Sequence, residues 1–74
     1  MKLKSAIMKD ARDRKGLTQE ELSAHVDISV PTIVRAENEG DINPSTGRTL
    51  CEFLGVNLAA AVLPRSTEED GNAA

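Results

Sequence analysis

Gly16-Leu17-Thr18-Gln19-Glu20-Glu21-Leu22, then Ile28-Ser29-Val30-Pro31-Thr32-Ile33 running on to Glu37, is the stretch that decides the fold. It contains two helix starts with the same punctuation. Thr18 is placed to cap the first, and Glu21, three residues on, can bond back to it as a capping box. Leu17 and Leu22 flank that cap as a hydrophobic staple. Ser29 is placed to cap the second, with Ile28 and Ile33 repeating the staple. About three residues separate the two helices, so they must cross steeply, as in a helix-turn-helix that offers its second helix to the major groove of DNA.

Working outward, Leu3, Ile7 and Ala11 recur at helical spacing with Met8 beside them, which predicts a first helix over residues 3–15. Gly16 stops it. The second helix is expected over 19–26, with Leu22 and Val26 inward, and Asp27 stands where the turn needs a left-handed residue. The third spans 30–38, with Pro31 in its first turn and Ile33 and Ala36 inward. Residues 39–44 read as a loop. A fourth helix over 45–54 buries Leu50, Phe53 and Leu54 and ends at Gly55. Gly47 is unfavourable there and suggests an irregular start. Residues 57–63 are ambiguous. Three alanines favour a helix, whereas Val62-Leu63-Pro64 favours a short strand. The expected fold class is all-α: a compact bundle of four to five helices, with a short C-terminal strand or fifth helix for dimerisation. Residues 1–64 form the expected DNA-binding domain, and 65–74 a disordered acidic tail.

The 74 residues include one Phe and no Trp or Tyr. Leu, Ile, Val, Ala and Met must therefore build the core, and base stacking on single strands is disfavoured. The one cysteine, Cys51, excludes an internal disulfide and the usual cysteine zinc sites. No apolar run is long enough to span a membrane, and no signal-peptide pattern opens the chain. A cytoplasmic location is expected, with no membrane partner.

The net charge is -3, at odds with the basic footprint of many DNA-binding domains. The average hides an asymmetry. Lys2, Lys4, Lys9, Arg12, Arg14 and Lys15 make residues 1–15 basic. Residues 16–41 set Arg35 alone against Glu20, Glu21, Asp27, Glu37, Glu39 and Asp41. Glu20 and Glu21 lie in a helix first turn, where the macrodipole favours them.

Residues 3–58 resemble the lambda-repressor-like helix-turn-helix family, also called the Cro/C1 or XRE type. The resemblance rests on Gly16 to Leu22, Ile33, Glu37-Asn38, Pro44 and Leu54-Gly55-Val56. It implies about five helices binding double-stranded DNA as a homodimer. It also implies backbone contact by Gln19 and Asn38, and a recognition face of Ser29, Val30, Pro31, Thr32 and Arg35. Arg12 and Glu37 match a family ion pair linking the first helix to the end of the third. This chain departs from the pattern in its acidic loop at Glu39 and Asp41. It also has no Gln or Asn early in the recognition helix, and Asp27 stands in place of the usual turn glycine.

Each candidate has a bland reading beside its functional one. Arg35 is placed to read guanine or hold a phosphate, or else to pair with Glu39 on the surface. Val30, Pro31 and Thr32 would meet thymine methyls, or are only a first turn. Thr18 and Gln19 would bond phosphates, or merely open a helix. His25 reads as inert, and Cys51 as a small hydrophobe. Leu58, Val62 and Leu63 are the candidate dimer contact, or else part of the monomer core. No catalytic constellation, metal-ligand cluster or glycine-rich phosphate loop is present, so neither enzyme chemistry nor a metal or cofactor is expected. The expected function is a transcriptional regulator, of the repressor type, binding a short two-fold operator as a homodimer. The alternative is a protein-interaction module on the same fold, an antitoxin or anti-activator with weak or no DNA binding.

Overall fold

The computed structural model describes residues 1–64. The expected acidic tail, 65–74, lies outside the described residues. Five helices follow in order: α1 Ser5–Arg14, α2 Gln19–Val26, α3 Val30–Glu37, α4 Pro44–Leu54 and α5 Leu58–Ala61. Among the described residues there is no strand, only one isolated antiparallel bridge between Leu3 and Val62. The ambiguous segment is thus a short fifth helix, followed at once by an extended residue. α1 starts two residues later than the periodicity predicts, because Leu3 belongs to that bridge.

α1 and α2 both pack on α3, α4 lies against α1 and α2, and α5 folds back on α4. Their shared core is Leu3, Met8, Ala11, Leu22, Ile33, Ala36, Ile42, Leu50, Cys51, Leu54 and Ala61. Each buried Leu or Ile contributes about 1.5–3 kcal/mol by leaving water. Phe53, expected inside, is only half-buried. Its exposed side is covered by His25, stacked at 5.3 Å, and by the Lys15 ammonium 5.1 Å from the ring centre. His25 therefore packs on the one aromatic ring and is not an idle surface residue.

The helix ends explain how so short a chain turns so often. The capping box at α2 is complete: the Glu21 N–H donates to the Thr18 hydroxyl at 3.0 Å, and the Thr18 N–H donates to the Glu21 carboxylate at 2.8 Å. The turn into α3 passes through Asp27 at φ 58°, a left-handed conformation costing roughly 1 kcal/mol for a residue with a Cβ. The Ser23 hydroxyl holds the turn by donating to the Ile28 carbonyl at 2.5 Å. Ser29 occupies the N-cap position of α3, but its side chain does not cap the backbone. Its hydroxyl donates instead to the Thr32 hydroxyl at 2.9 Å.

α3 ends in a Schellman-type turn. Glu39 adopts φ 62°, the Glu39 N–H reaches the Ala36 carbonyl at 3.4 Å, and the Gly40 N–H reaches the Arg35 carbonyl at 2.8 Å. The Glu39 carboxylate accepts from the Ser5 N–H at 3.1 Å. α1 has no side-chain cap of its own, so an acid at the end of α3 serves the positive end of α1. Gly47 does not make α4 irregular. It is buried, and a Cβ there would collide with the Met1 sulfur, so the missing side chain admits Met1 against the helix.

The two ends of the domain meet. The Lys4 N–H donates to the Ala61 carbonyl at 2.7 Å, and the Leu63 N–H donates to the Lys2 carbonyl at 2.8 Å. Leu58 and Val62 are half-buried against the core, and Leu3 is wholly buried. No large hydrophobic is left exposed among the described residues.

Candidate nucleic-acid interface

Two helix starts and one helix face carry the candidate contacts. Thr18 is exposed at the start of α2, with Gln19 beside it half-buried. On α3, Ser29, Pro31 and Arg35 are exposed, Val30 and Thr32 are half-exposed, and Asn38 is exposed at the C-cap. Arg35 makes no ion pair among the described residues. The expected bland partner, Glu39, is engaged at Ser5. Arg35 instead borders a shallow polar hollow with Thr32, Asp41, Ile42, Asn43 and Thr46. Asn43 and Thr46 were not singled out by sequence reasoning. Their signal was the Asn43-Pro44 pair, which opens α4 at Pro44 and leaves Asn43 at its N-cap with no side-chain cap bond.

Behind this surface lies a buried polar network. The Arg12 Nε donates to Glu37 Oε2 at 2.6 Å, and Nη2 donates to Oε1 at 3.1 Å. Arg12 Nη1 donates to the Leu17 carbonyl at 2.8 Å. Gln19 Nε2 donates to Glu37 Oε1 at 3.1 Å. Glu37 is 2 % exposed, yet no buried side-chain polar atom among the described residues is left unpartnered. The hydrogen bond to Glu37 raises the Arg12 pKa, burial opposes it, and the nearby carboxylate charge adds to the rise. The guanidinium is therefore a permanent cation joining α1, the start of α2 and the end of α3. The Arg12–Glu37 contact expected from the resemblance is present. Gln19 is also part of it, tethered inward by one amide hydrogen.

The acids that made the sequence look unsuited to DNA are largely engaged within the fold. Glu21 caps α2, Glu37 pairs with Arg12, and Glu39 caps α1. Asp41 pairs with the Met1 ammonium at 2.5 Å, and that hydrogen bond and charge hold its carboxyl below the usual range. Cys51 is buried in α4, and burial pushes its thiol up, as suits a small hydrophobe.

The sequence profile described as Helix-turn-helix matches residues 8–60, more than two thirds of the chain. The chain belongs to this family. It is the Cro/C1-type helix-turn-helix, a DNA-binding family and not an enzyme family, so DNA is its partner. No curated protein and no solved structure matches the chain. The helix-turn-helix match spans α2 and α3 and reaches from within α1 to within α5. No helix among the described residues is long and apolar enough to cross a membrane.

Proposed function

We propose that this helix-turn-helix chain is a transcriptional regulator that binds a short two-fold operator as a homodimer, in the manner of a repressor. The observation that carries the reading is Arg35. It is the one long basic side chain on α3, exposed and without an acidic partner among the described residues. Guanine O6 and N7 accept two hydrogen bonds from such a side chain in the major groove. Thr32, half-exposed on the same helix, offers a hydroxyl to a base or phosphate, and Val30 and Pro31 offer apolar contact to thymine methyls. Ser29 orders Thr32 through their hydroxyl contact. Thr18, Gln19 and Asn38 serve the phosphate backbone. Gln19 keeps its second amide hydrogen for this after the first is taken by Glu37.

Two recognition helices about 34 Å apart require two chains. The self-contact falls to Leu58, Val62 and Leu63, at the end of the domain remote in sequence from α3. Leu58 and Val62 also pack against the core, whereas Leu63 does not. Leu63→Asp is therefore the cleaner probe of assembly. Sedimentation should give a dimer for the wild type and a monomer for this variant, which should keep its helical circular dichroism and lose only the concentration-dependent part of its melting temperature. A wild type that stays monomeric at high micromolar concentration removes the interface.

Selection of duplexes from a randomised library tests the DNA reading. Arg35→Ala should weaken binding to the selected duplex by about 1–3 kcal/mol and relax discrimination at one base pair. Equal affinity of the two proteins would take Arg35 off the readout surface. The antitoxin or anti-activator alternative drew its support from the acid between residues 16 and 41. Of those six acids, Glu37 is buried against Arg12, while Glu21, Glu39 and Asp41 are bonded within the chain but stay at its surface, so part of that support remains.

A further inference from the structure

Gly40 is the one feature near the recognition helix whose residue type the turn geometry does not require. Its φ is not positive, unlike that of Gly16 and Gly55, so a left-handed backbone is not what calls for glycine there. What excludes a side chain is Arg35. A Cβ at position 40 would collide with Arg35 Cγ, and would lie 3.0 Å from the Arg35 carbonyl oxygen and 3.3 Å from Cδ. The aliphatic stem of Arg35 therefore lies across the bare Cα of Gly40. The Gly40 N–H holds that Cα in place by donating to the Arg35 carbonyl at 2.8 Å.

We propose that Gly40 is a positioning residue for DNA readout, serving as a platform that fixes the rotamer of Arg35 and so aims its guanidinium. This rests on the reading of Arg35 as the base-contacting residue. The physical case is one of entropy and direction. A surface arginine has many rotamers, and ordering them on binding opposes affinity. On a helix few values of χ1 are open, so seating Cγ and Cδ on a neighbouring backbone settles most of the choice. The colliding atom is Cγ, near the root of the side chain. Arg35 cannot keep its direction by flexing its far end. With a Cβ at position 40 it must take another χ1, and the guanidinium swings away from the edge of the hollow shared with Thr32, Asn43 and Thr46.

The test is Gly40→Ala in the full chain, alone and combined with Arg35→Ala. It has two readouts. The first is χ1 of Arg35 from NMR scalar couplings without DNA. The second is affinity for a duplex selected by the wild type from a randomised library, and for the same duplex with each guanine replaced. We expect a changed or averaged χ1, a domain that stays folded with a lowered melting temperature, and a five- to thirty-fold loss of affinity. The loss of discrimination should fall at the base pair that Arg35→Ala also relaxes. In the Arg35→Ala background, Gly40→Ala should add nothing. An unchanged χ1, or the same loss of affinity with and without Arg35, overturns the proposal. If χ1 changes while Arg35→Ala itself leaves binding intact, the readout role of Arg35 is what has failed, and with it the functional part of the proposal.

Discussion

Replacing Glu37 by alanine should cost about 3–5 kcal/mol of folding stability, because it leaves the Arg12 guanidinium, only 16 % exposed, without its carboxylate. A domain of this length has only about 5 kcal/mol or a little more in total, so the variant should lie near its unfolding midpoint at room temperature. The loss is not the worth of the pair, since the charges had to be desolvated to form it. The double variant Arg12→Met, Glu37→Leu should accordingly be much more stable than Glu37→Ala. The chemistry left behind explains the difference: the double variant orphans only the Leu17 carbonyl and the Gln19 amide, whereas the single variant orphans a full charge. Urea unfolding of the three proteins measures this directly. A Glu37→Ala midpoint within a few tenths molar of the wild type would mean that the exposed edge of Arg12 solvates its charge without Glu37.

The second large effect is expected at Leu3. Leu3→Ala should cost about 2–5 kcal/mol, the range for emptying a fully buried leucine site. The damage should also spread beyond the cavity. Leu3 packs where Lys2 and Lys4 bond to Leu63 and Ala61, so loosening it should free the end of α5. The Leu63 amide should then exchange with deuterium far faster than the amides of α3. A loss below about 1 kcal/mol with Leu63 still protected would show that the bridge, rather than the side chain, holds the two ends together.

The parts of the fold legible in the sequence were those encoded within a few residues. Thr18 and Glu21 met as written, Asp27 took the left-handed turn, and Gly16 and Gly55 ended their helices. Caps and turns are local, so their chemistry is fixed by short spacings. Contacts across the fold were not legible from spacing. A spacing of four residues offers Glu39 as the alternative partner of Arg35, yet a left-handed turn carries its carboxylate to Ser5. Gln19 gave no sign that Glu37, eighteen residues away, would hold its amide. Ser29 has the right type for a cap, but the Thr32 hydroxyl competes for it. His25 looked idle until Phe53 arrived from α4. The Arg12–Glu37 pair was visible only through the family resemblance. For the candidate interface, the sequence named the α3 residues that prove exposed or half-exposed but not the hollow beside them, because Asn43 and Thr46 reach it only through the start of α4.

The bridge between Leu3 and Val62 also bears on how the chain assembles. The helix contacts among α1 to α4 each close a shorter stretch of chain than the terminal bridge does. The terminal contact must instead close a loop of nearly the whole domain, and the entropy of closing a loop grows with its length. It is thus the contact least available to an early nucleus, and it contributes little until the helices have already gathered its two halves. Changes at Leu3, Ala61 or Val62 should therefore leave the refolding rate almost untouched and appear as faster unfolding. The domain's lifetime, more than its speed of formation, is set where its two ends join.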